Sequence, residues 1–200
     1  MPITPVPSPS LSPSSPPSEA SARRRASSRV RVPLALAAAC SAVTALALAP
    51  TAQAVTPLTA TATYDCGTWG SGLATLTAAD SGTSKTIKLT STAITMPPGT
   101  SADPNSITTT LKLTKTSGGT TSQVQFSGKA NPGMSGSTPI TLGPLKLTSG
   151  TLTAGDRTDS AVLPTPPGAT NWSLQIVASS PTTATVPCVA TSVQSAAFTW

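Results

Sequence analysis

Acidic side chains are few in this 200-residue sequence, and they limit the chemistry that it can perform. The chain contains no histidine, and Glu19 is its only glutamate. After residue 54 the carboxylates belong to five aspartates: Asp65, Asp80, Asp103, Asp156 and Asp159. This composition excludes Ser-His-Asp and Cys-His nucleophiles, imidazole metal sites and glutamate acid–base pairs from that region. We expect no enzyme activity, no catalytic residue, no cofactor and no bound metal.

Two of these aspartates lie close together in the sequence, at Asp156 and Asp159. Clustered carboxylate oxygens can bind calcium, and a pair of carboxyl groups can act as acid and base in hydrolysis. Arg157 stands between the two aspartates, and this favours a solvated turn. An Asp-dependent hydrolase is kept as the second alternative function.

Three cysteines are present, and two of them follow residue 54. Cys40 falls in an apolar N-terminal run, whereas Cys66 and Cys188 lie near the two ends of the remaining sequence. An even pair of cysteines in an exported chain predicts a disulfide. Closing so long a loop would stabilise the fold by about 4–5 kcal/mol in the chain-entropy model. A pair of free thiols is the alternative, since two cysteines without histidine cannot form a closed zinc site.

Residues 1–54 are predicted to be a disordered Pro/Ser/Arg-rich extension followed by a signal peptide. The apolar run from Leu34 to Ala49 has the length of a signal-peptide core and is short for a membrane span. Ala52 and Ala54 form the small-x-small pattern that signal peptidase accepts, so we expect cleavage before Val55. The alternative is an uncleaved leader, which would be the only contact of the protein with a membrane.

The basic charge of the sequence comes largely from this leader. The net charge is +6, but five arginines and one glutamate precede residue 54, and seven cations face five aspartates after it. The near-neutral segment that remains does not indicate nucleic-acid binding. Its richness in Thr, Ser, Ala and Gly is typical of an exported protein, and we expect a secreted or cell-surface location.

Residues 55–200 alternate between apolar and polar side chains, as half-buried strands do. Ala60, Ala62, Tyr64 and Cys66 share one face of the first strand, and turn-forming residues separate the later runs. No window outside the leader shows a helical period. We predict one all-β domain, an immunoglobulin-like antiparallel β-sandwich of about 8–10 strands. Its other inward positions are predicted to include Leu76, Ser91, Ala93, Leu111, Phe126 and Trp172.

The tripeptide Lys-Leu-Thr occurs three times, starting at Lys88, Lys112 and Lys146. The unequal spacing of the three copies excludes a solenoid repeat. We interpret them as strands of like composition whose lysines face solvent and discourage pairing at sheet edges. A single basic stripe is the alternative interpretation.

Trp69 and Trp200 are the aromatic residues that could serve as a ligand platform. Trp69 lies in a glycine-rich segment three residues after Cys66, and exposed rings of this kind can stack on sugars. A carbohydrate-binding module that uses Trp69 and Trp200 is therefore the first alternative function. The competing interpretation is that Trp69 packs over the disulfide.

The whole pattern resembles the small secreted β-sandwich proteins of actinobacteria, which are mostly of unknown function. The resemblance rests on the leader, the Thr/Ala-rich strands, Tyr64-Asp65-Cys66 and the late Cys188. The segment from Trp69 to Leu73 also resembles the Trp-Gly-x-Gly-Phe of bacterial cellulose-binding modules, with Leu73 in place of the aromatic residue. We predict a non-catalytic secreted or cell-surface protein with a binding or structural role, and cell-wall or extracellular polysaccharide as its class of partner.

Overall fold

The computed structural model describes residues 54–200, which form an all-β, antiparallel structure. In this part of the chain, the one helical element is a 3-10 turn at Gly67–Trp69. The twelve strands are β1 Thr59–Asp65, β2 Ser71–Asp80, β3 Lys85–Thr95, β4 Ser101–Ala102, β5 Ile107–Ser117, β6 Thr120–Lys129, β7 Met134–Ser135, β8 Pro139–Ser149, β9 Arg157–Ser160, β10 Leu174–Ala178, β11 Ala184–Ala190 and β12 Phe198–Thr199. The prediction of an all-β fold is confirmed. No helix among residues 54–200 is long and apolar enough to cross a membrane.

Eight of the strands form one closed sheet. They pair in the order β1-β2-β3-β8-β6-β5-β10-β11, and β11 returns to β1. The pairing of β5 with β10, with Leu111 opposite Leu174 and Ile107 opposite Ala178, completes the circle. The sheet is therefore an eight-stranded barrel, whereas the sequence predicted a sandwich of two sheets. Alternation reports which side chains face inward but not which strands are neighbours, so it fits both architectures.

The long strand β5 also brings the end of the chain into the core. The first half of β5 pairs with β10 and its second half pairs with β9, and β12 pairs with β9. Trp200 follows β12 and is 1% exposed. Its ring stacks on Phe126 at 5.6 Å between centroids and meets Phe198 edge-on at 6.4 Å. The indole N–H of Trp200 donates to the Thr158 hydroxyl at 2.9 Å, so its polar atom is satisfied inside the core.

Most of the predicted inward positions are buried, and β3 contains the clearest exception. Leu76, Leu111 and Phe126 are fully buried, but Ala93 is exposed and Ile94 takes the inward position. The Ser91 hydroxyl accepts the backbone N–H groups of Ala93 and Ile94 at 3.2 and 3.1 Å. The register against β8 shifts at the same place. Between Ser91 and Thr95, β3 has three more residues than β8, and this odd number reverses the faces that strict alternation predicted.

The barrel has two walls that differ in charge. The lysine wall consists of β3, β8, β6 and β5, and it contains every lysine of the described residues and no aspartate. The six lysines are Lys85, Lys88, Lys112, Lys115, Lys129 and Lys146. The disulfide wall consists of β2, β1, β11 and β10; it has no lysine or arginine, and it contains Cys188.

Candidate functional site

Cys66 and Cys188 form the predicted disulfide. Cys66 directly follows β1 and Cys188 lies in β11, where the neighbouring pair Asp65 and Val189 is in register. The bond therefore links two adjacent strands at the end of their ladder. It joins positions 122 residues apart in the sequence, so it removes much freedom from the unfolded chain.

The segment before β1 runs beside the last strand. Thr56 and Thr199 exchange two backbone hydrogen bonds of 3.0 and 2.8 Å. Val55, the first residue after the predicted cleavage point, is 2% exposed, and Ala54 is exposed. Ala52 and the rest of the predicted leader lie outside the described residues.

Neither tryptophan of the predicted ligand platform presents a free face. Trp69 ends the 3-10 turn between β1 and β2 and is 6% exposed, and Trp200 is buried beside Phe126. The turn is closed by hydrogen bonds from the Trp69 N–H to the Cys66 carbonyl and from the Cys66 N–H to the Gly70 carbonyl. Because sugar stacking needs an open ring face, these two rings do not form a platform in this structure.

Trp172 lies outside the core, although its alternation with Leu174 predicted an inward position. β10 begins at Leu174, and Ser173 is the buried residue before it, with 0% exposure. The Trp172 ring is half-exposed and carries the Lys112 ammonium 3.3 Å from its centroid. Burial lowers the pKa of Lys112. This cation–π contact joins β5 of the lysine wall to the segment that leads into β10.

Asp156 is buried, so the prediction of a solvated turn is wrong at this residue. Its carboxylate is 2% exposed and lies 2.8 Å from the Lys115 ammonium. It also accepts the backbone N–H of Thr153 at 2.7 Å and the Thr153 hydroxyl at 3.0 Å. Burial alone would raise the pKa of Asp156, but hydrogen bonds from Lys115, Thr153 and Ser117 hold the pKa well below its usual range.

The Asp159 carboxylate makes a different set of contacts. One of its oxygens accepts the backbone N–H groups of Ser160 and Gln194, each at 2.7 Å. Ser160 in turn lies 3.4 Å from the Tyr64 hydroxyl, and burial raises the pKa of Tyr64 to about 12. Asp156 and Asp159 therefore serve separate local structures instead of one paired site. No cluster of three or more potential metal ligands occurs among residues 54–200.

The remaining three aspartates each hold a turn or loop. Asp65 accepts the Gly67 N–H at 2.9 Å, and Asp80 accepts the Gly82 N–H at 2.8 Å and pairs with Lys85. Asp103 accepts the Ser180 hydroxyl. Every carboxylate that the structure describes thus has a structural hydrogen bond.

A cleft of about 490 Å³ opens where β3 and β8 diverge, at one end of the lysine wall. Its lining combines two lysines, three hydroxyl side chains, two leucines and two glycines: Gly82, Thr83, Ser84, Lys85, Lys146, Leu147, Gly150, Thr151 and Leu152. A smaller pocket of about 210 Å³ lies beside Arg157 and Asp159. No motif in the sequence indicates the cleft, because its two sides come from segments about sixty residues apart.

The three Lys-Leu-Thr segments lie in β3, β5 and β8, all within the lysine wall. Lys85 and Lys115 are paired with Asp80 and Asp156, whereas the other four lysines make no salt bridge within residues 54–200. Lys88, Lys129 and Lys146 are exposed, and Lys112 contacts Trp172. The closed sheet thus places lysines that are far apart in the sequence on neighbouring strands.

Comparison with known proteins yields no matching family model, and no curated protein or solved structure matches the chain.

Proposed function

We propose that residues 55–200 form an exported, non-catalytic domain of the cell surface or extracellular matrix, with a binding or structural role. The resemblance to small secreted actinobacterial proteins supports the exported location in this proposal. An exported domain meets an oxidising environment, and the Cys66–Cys188 bond is consistent with folding there.

The observation that carries the non-catalytic proposal is the use of the five aspartates. Without histidine or glutamate, aspartate is the carboxylate left for an acid–base mechanism in this domain. Asp156 is buried and paired with Lys115, and Asp159 holds the backbone of Ser160 and Gln194. Contacts within the protein thus occupy both carboxylates, and the two belong to separate local structures. Hydrolysis by Asp156 and Asp159 is thus the less favoured function.

Polysaccharide is the class of partner that an exported domain of this surface composition would meet. The platform of Trp69 and Trp200 does not support this partner, because both rings are buried. Polysaccharide could instead bind through polar groups in the cleft between β3 and β8, where Thr83, Ser84 and Thr151 provide hydroxyl groups. Binding would then rest on hydrogen bonds and charge instead of ring stacking.

Two measurements test the proposal. Intact-mass analysis of the secreted protein should show a chain that begins at Val55 and is two hydrogens lighter than its reduced form. A chain that retains the run from Leu34 to Ala49 in membranes would contradict export.

The purified protein should be retained on at least one insoluble cell-wall polysaccharide and should hydrolyse none of a panel of glycosides, esters and phosphate esters. Asp159→Asn provides the control for the hydrolase alternative. Turnover that is lost in Asp159→Asn, at unchanged melting temperature, would contradict the non-catalytic function.

A further inference from the structure

The lysine wall contains a compact group of exposed cations. Lys146 in β8 lies opposite Thr86 of β3 on one side and Ser127 of β6 on the other. Lys88 is two residues from Thr86, where the register with β8 shifts between Ile87 and Leu89, and Lys129 is two residues from Ser127. All three lysines are exposed, and they lie on three adjacent strands of the sheet. Three unpaired ammonium groups thus share one outer surface.

Protection of sheet edges does not explain these lysines. Lysine on an exposed edge strand prevents pairing with other chains. Here β3 pairs with β2 and β8, β8 pairs with β3 and β6, and β6 pairs with β5 and β8, so all three are interior strands of the closed sheet. In the closed barrel, the concentration of positive charge on one wall needs another explanation.

We propose that the lysine wall and the adjoining cleft bind an anionic polysaccharide, an inference that rests on the proposed function and names its class of ligand. Lys146 contributes to both surfaces, because it lines the cleft and stands between Lys88 and Lys129 on the wall. The three lysines offer point charges to carboxylate, sulfate or phosphate groups along the polymer. In the cleft, the hydroxyl groups of Thr83, Ser84 and Thr151 can hydrogen-bond sugar hydroxyls.

The surroundings of the lysines favour this polymer over the other polyanions. Single-stranded nucleic acid is held by aromatic side chains on which bases stack. No aromatic residue faces outward from β3, β8 or β6, and the half-exposed Trp172 beside β5 contacts Lys112. Membrane surfaces are bound by apolar side chains beside the cations. The large exposed apolar residues lie away from the lysine wall: Leu58 before β1, Leu73 in β2, Val162 beside β11 and Val193 after β11.

The test compares two variants with equal net charge. Lys88→Gln/Lys129→Gln/Lys146→Gln removes three positive charges from the wall. Thr59→Glu/Leu73→Glu/Val193→Glu adds three negative charges at exposed positions outside it. Both variants should keep the disulfide and a melting temperature within a few degrees of the parent protein, since exposed substitutions change stability little.

Binding is measured by calorimetry to polygalacturonate and to dextran sulfate, with neutral dextran as the uncharged polymer. The parent protein should bind at least one of the two polyanions, and its affinity should fall about tenfold or more between about 20 and 200 mM salt. The lysine variant should lose about tenfold or more at low salt, and the matched variant less than about threefold, because the effect of local charges is larger than that of net charge. A preference for polygalacturonate or for dextran sulfate identifies the anionic group, and either supports the proposal.

The proposal would be overturned by no binding of the parent protein to either polyanion, by equal losses of affinity in both variants, or by tighter binding to DNA or to phosphatidylglycerol vesicles. Retention on a neutral polysaccharide that the lysine variant keeps would also overturn this inference, while leaving the proposed binding function intact. Turnover of the polymer would instead contradict the proposed function.

Discussion

The two walls of the barrel are stabilised by different means. The lysine wall is fixed to the segment before β9 by the Lys115–Asp156 ion pair, and its outer surface is positively charged. The disulfide wall has no cation and is fixed by the Cys66–Cys188 bond between β11 and the end of β1. The comparison shows that the wall without a covalent link supplies the lysines of both ion pairs found in residues 54–200, Lys115 with Asp156 and Lys85 with Asp80 of β2. It also separates the surface that is proposed to bind from the surface that constrains the chain.

The largest expected effect comes from Asp156→Asn, which leaves the Lys115 ammonium without its buried partner. Breaking one member of a buried ion pair typically costs about 3–5 kcal/mol of unfolding free energy. Denaturant unfolding measures the loss, and hydrogen exchange should show it first in β5 and β9. Asp103→Asn is the control, because Asp103 is exposed and bonds only the Ser180 hydroxyl. Equal losses in both variants would contradict the special role of the buried pair.

The disulfide wall should respond to Cys66→Ser, with a cost of about 2–5 kcal/mol. The bond closes a sequence separation of 122 residues, so most of the loss comes from the greater freedom of the unfolded chain. A Cys66→Ser/Cys188→Ser variant avoids the free thiol and should lose a similar amount. In these variants, amide hydrogen exchange should increase in β1 and β11 before it increases in β5. The reverse order would contradict the division between the walls.

Acidification should weaken the lysine wall and leave the disulfide unchanged. The pKa of Asp156 is below its usual range in the folded protein, so its contribution is fully present above the unfolded pKa of about 4. It is lost as the pH falls through the lower folded pKa, because protonation removes the charge that pairs with Lys115. The unfolding free energy should therefore decrease below about pH 4, and Asp156→Asn should decrease less over that range. An equal decrease would assign the acid sensitivity to other carboxylates.

The sequence predicted the faces of strands better than their neighbours. Alternation identified the buried sides of Tyr64, Leu76 and Phe126, and the even pair of cysteines identified the disulfide. The bulge at Ser91 and the closure of β5 on β10 were missed, since each depends on backbone hydrogen bonds that composition does not encode. Strict alternation therefore placed Ala93 inside, and the predicted sandwich was one of two architectures that fit it.

The candidate site was predictable only in its parts. The repeated Lys-Leu-Thr segments suggested a basic stripe, but the strand order that places Lys88 and Lys129 on either side of Lys146 comes from the barrel. Arg157 beside Asp156 suggested a solvated turn, whereas the buried partner is Lys115, more than forty residues earlier. Long-range pairing of this kind has no local pattern in a single sequence.

The smallest predicted effect concerns the seam between β5 and β10, which is one of the two places where the walls meet. Lys112 lies in β5 with its ammonium 3.3 Å from the centroid of Trp172, which precedes β10. Lys112→Met keeps most of the aliphatic stem and removes the charge, so the loss should be that of the cation–π contact, about 0.5–1 kcal/mol. Lys129→Met is the control, because its exposed side chain has no aromatic partner among the described residues and should change stability by less than about 0.5 kcal/mol. In a double-mutant cycle, Trp172→Leu should remove the difference between the parent protein and Lys112→Met. If Lys112→Met costs the same in both backgrounds, the contact does not stabilise the seam, and the two walls are joined there by the backbone pairing of β5 and β10 alone.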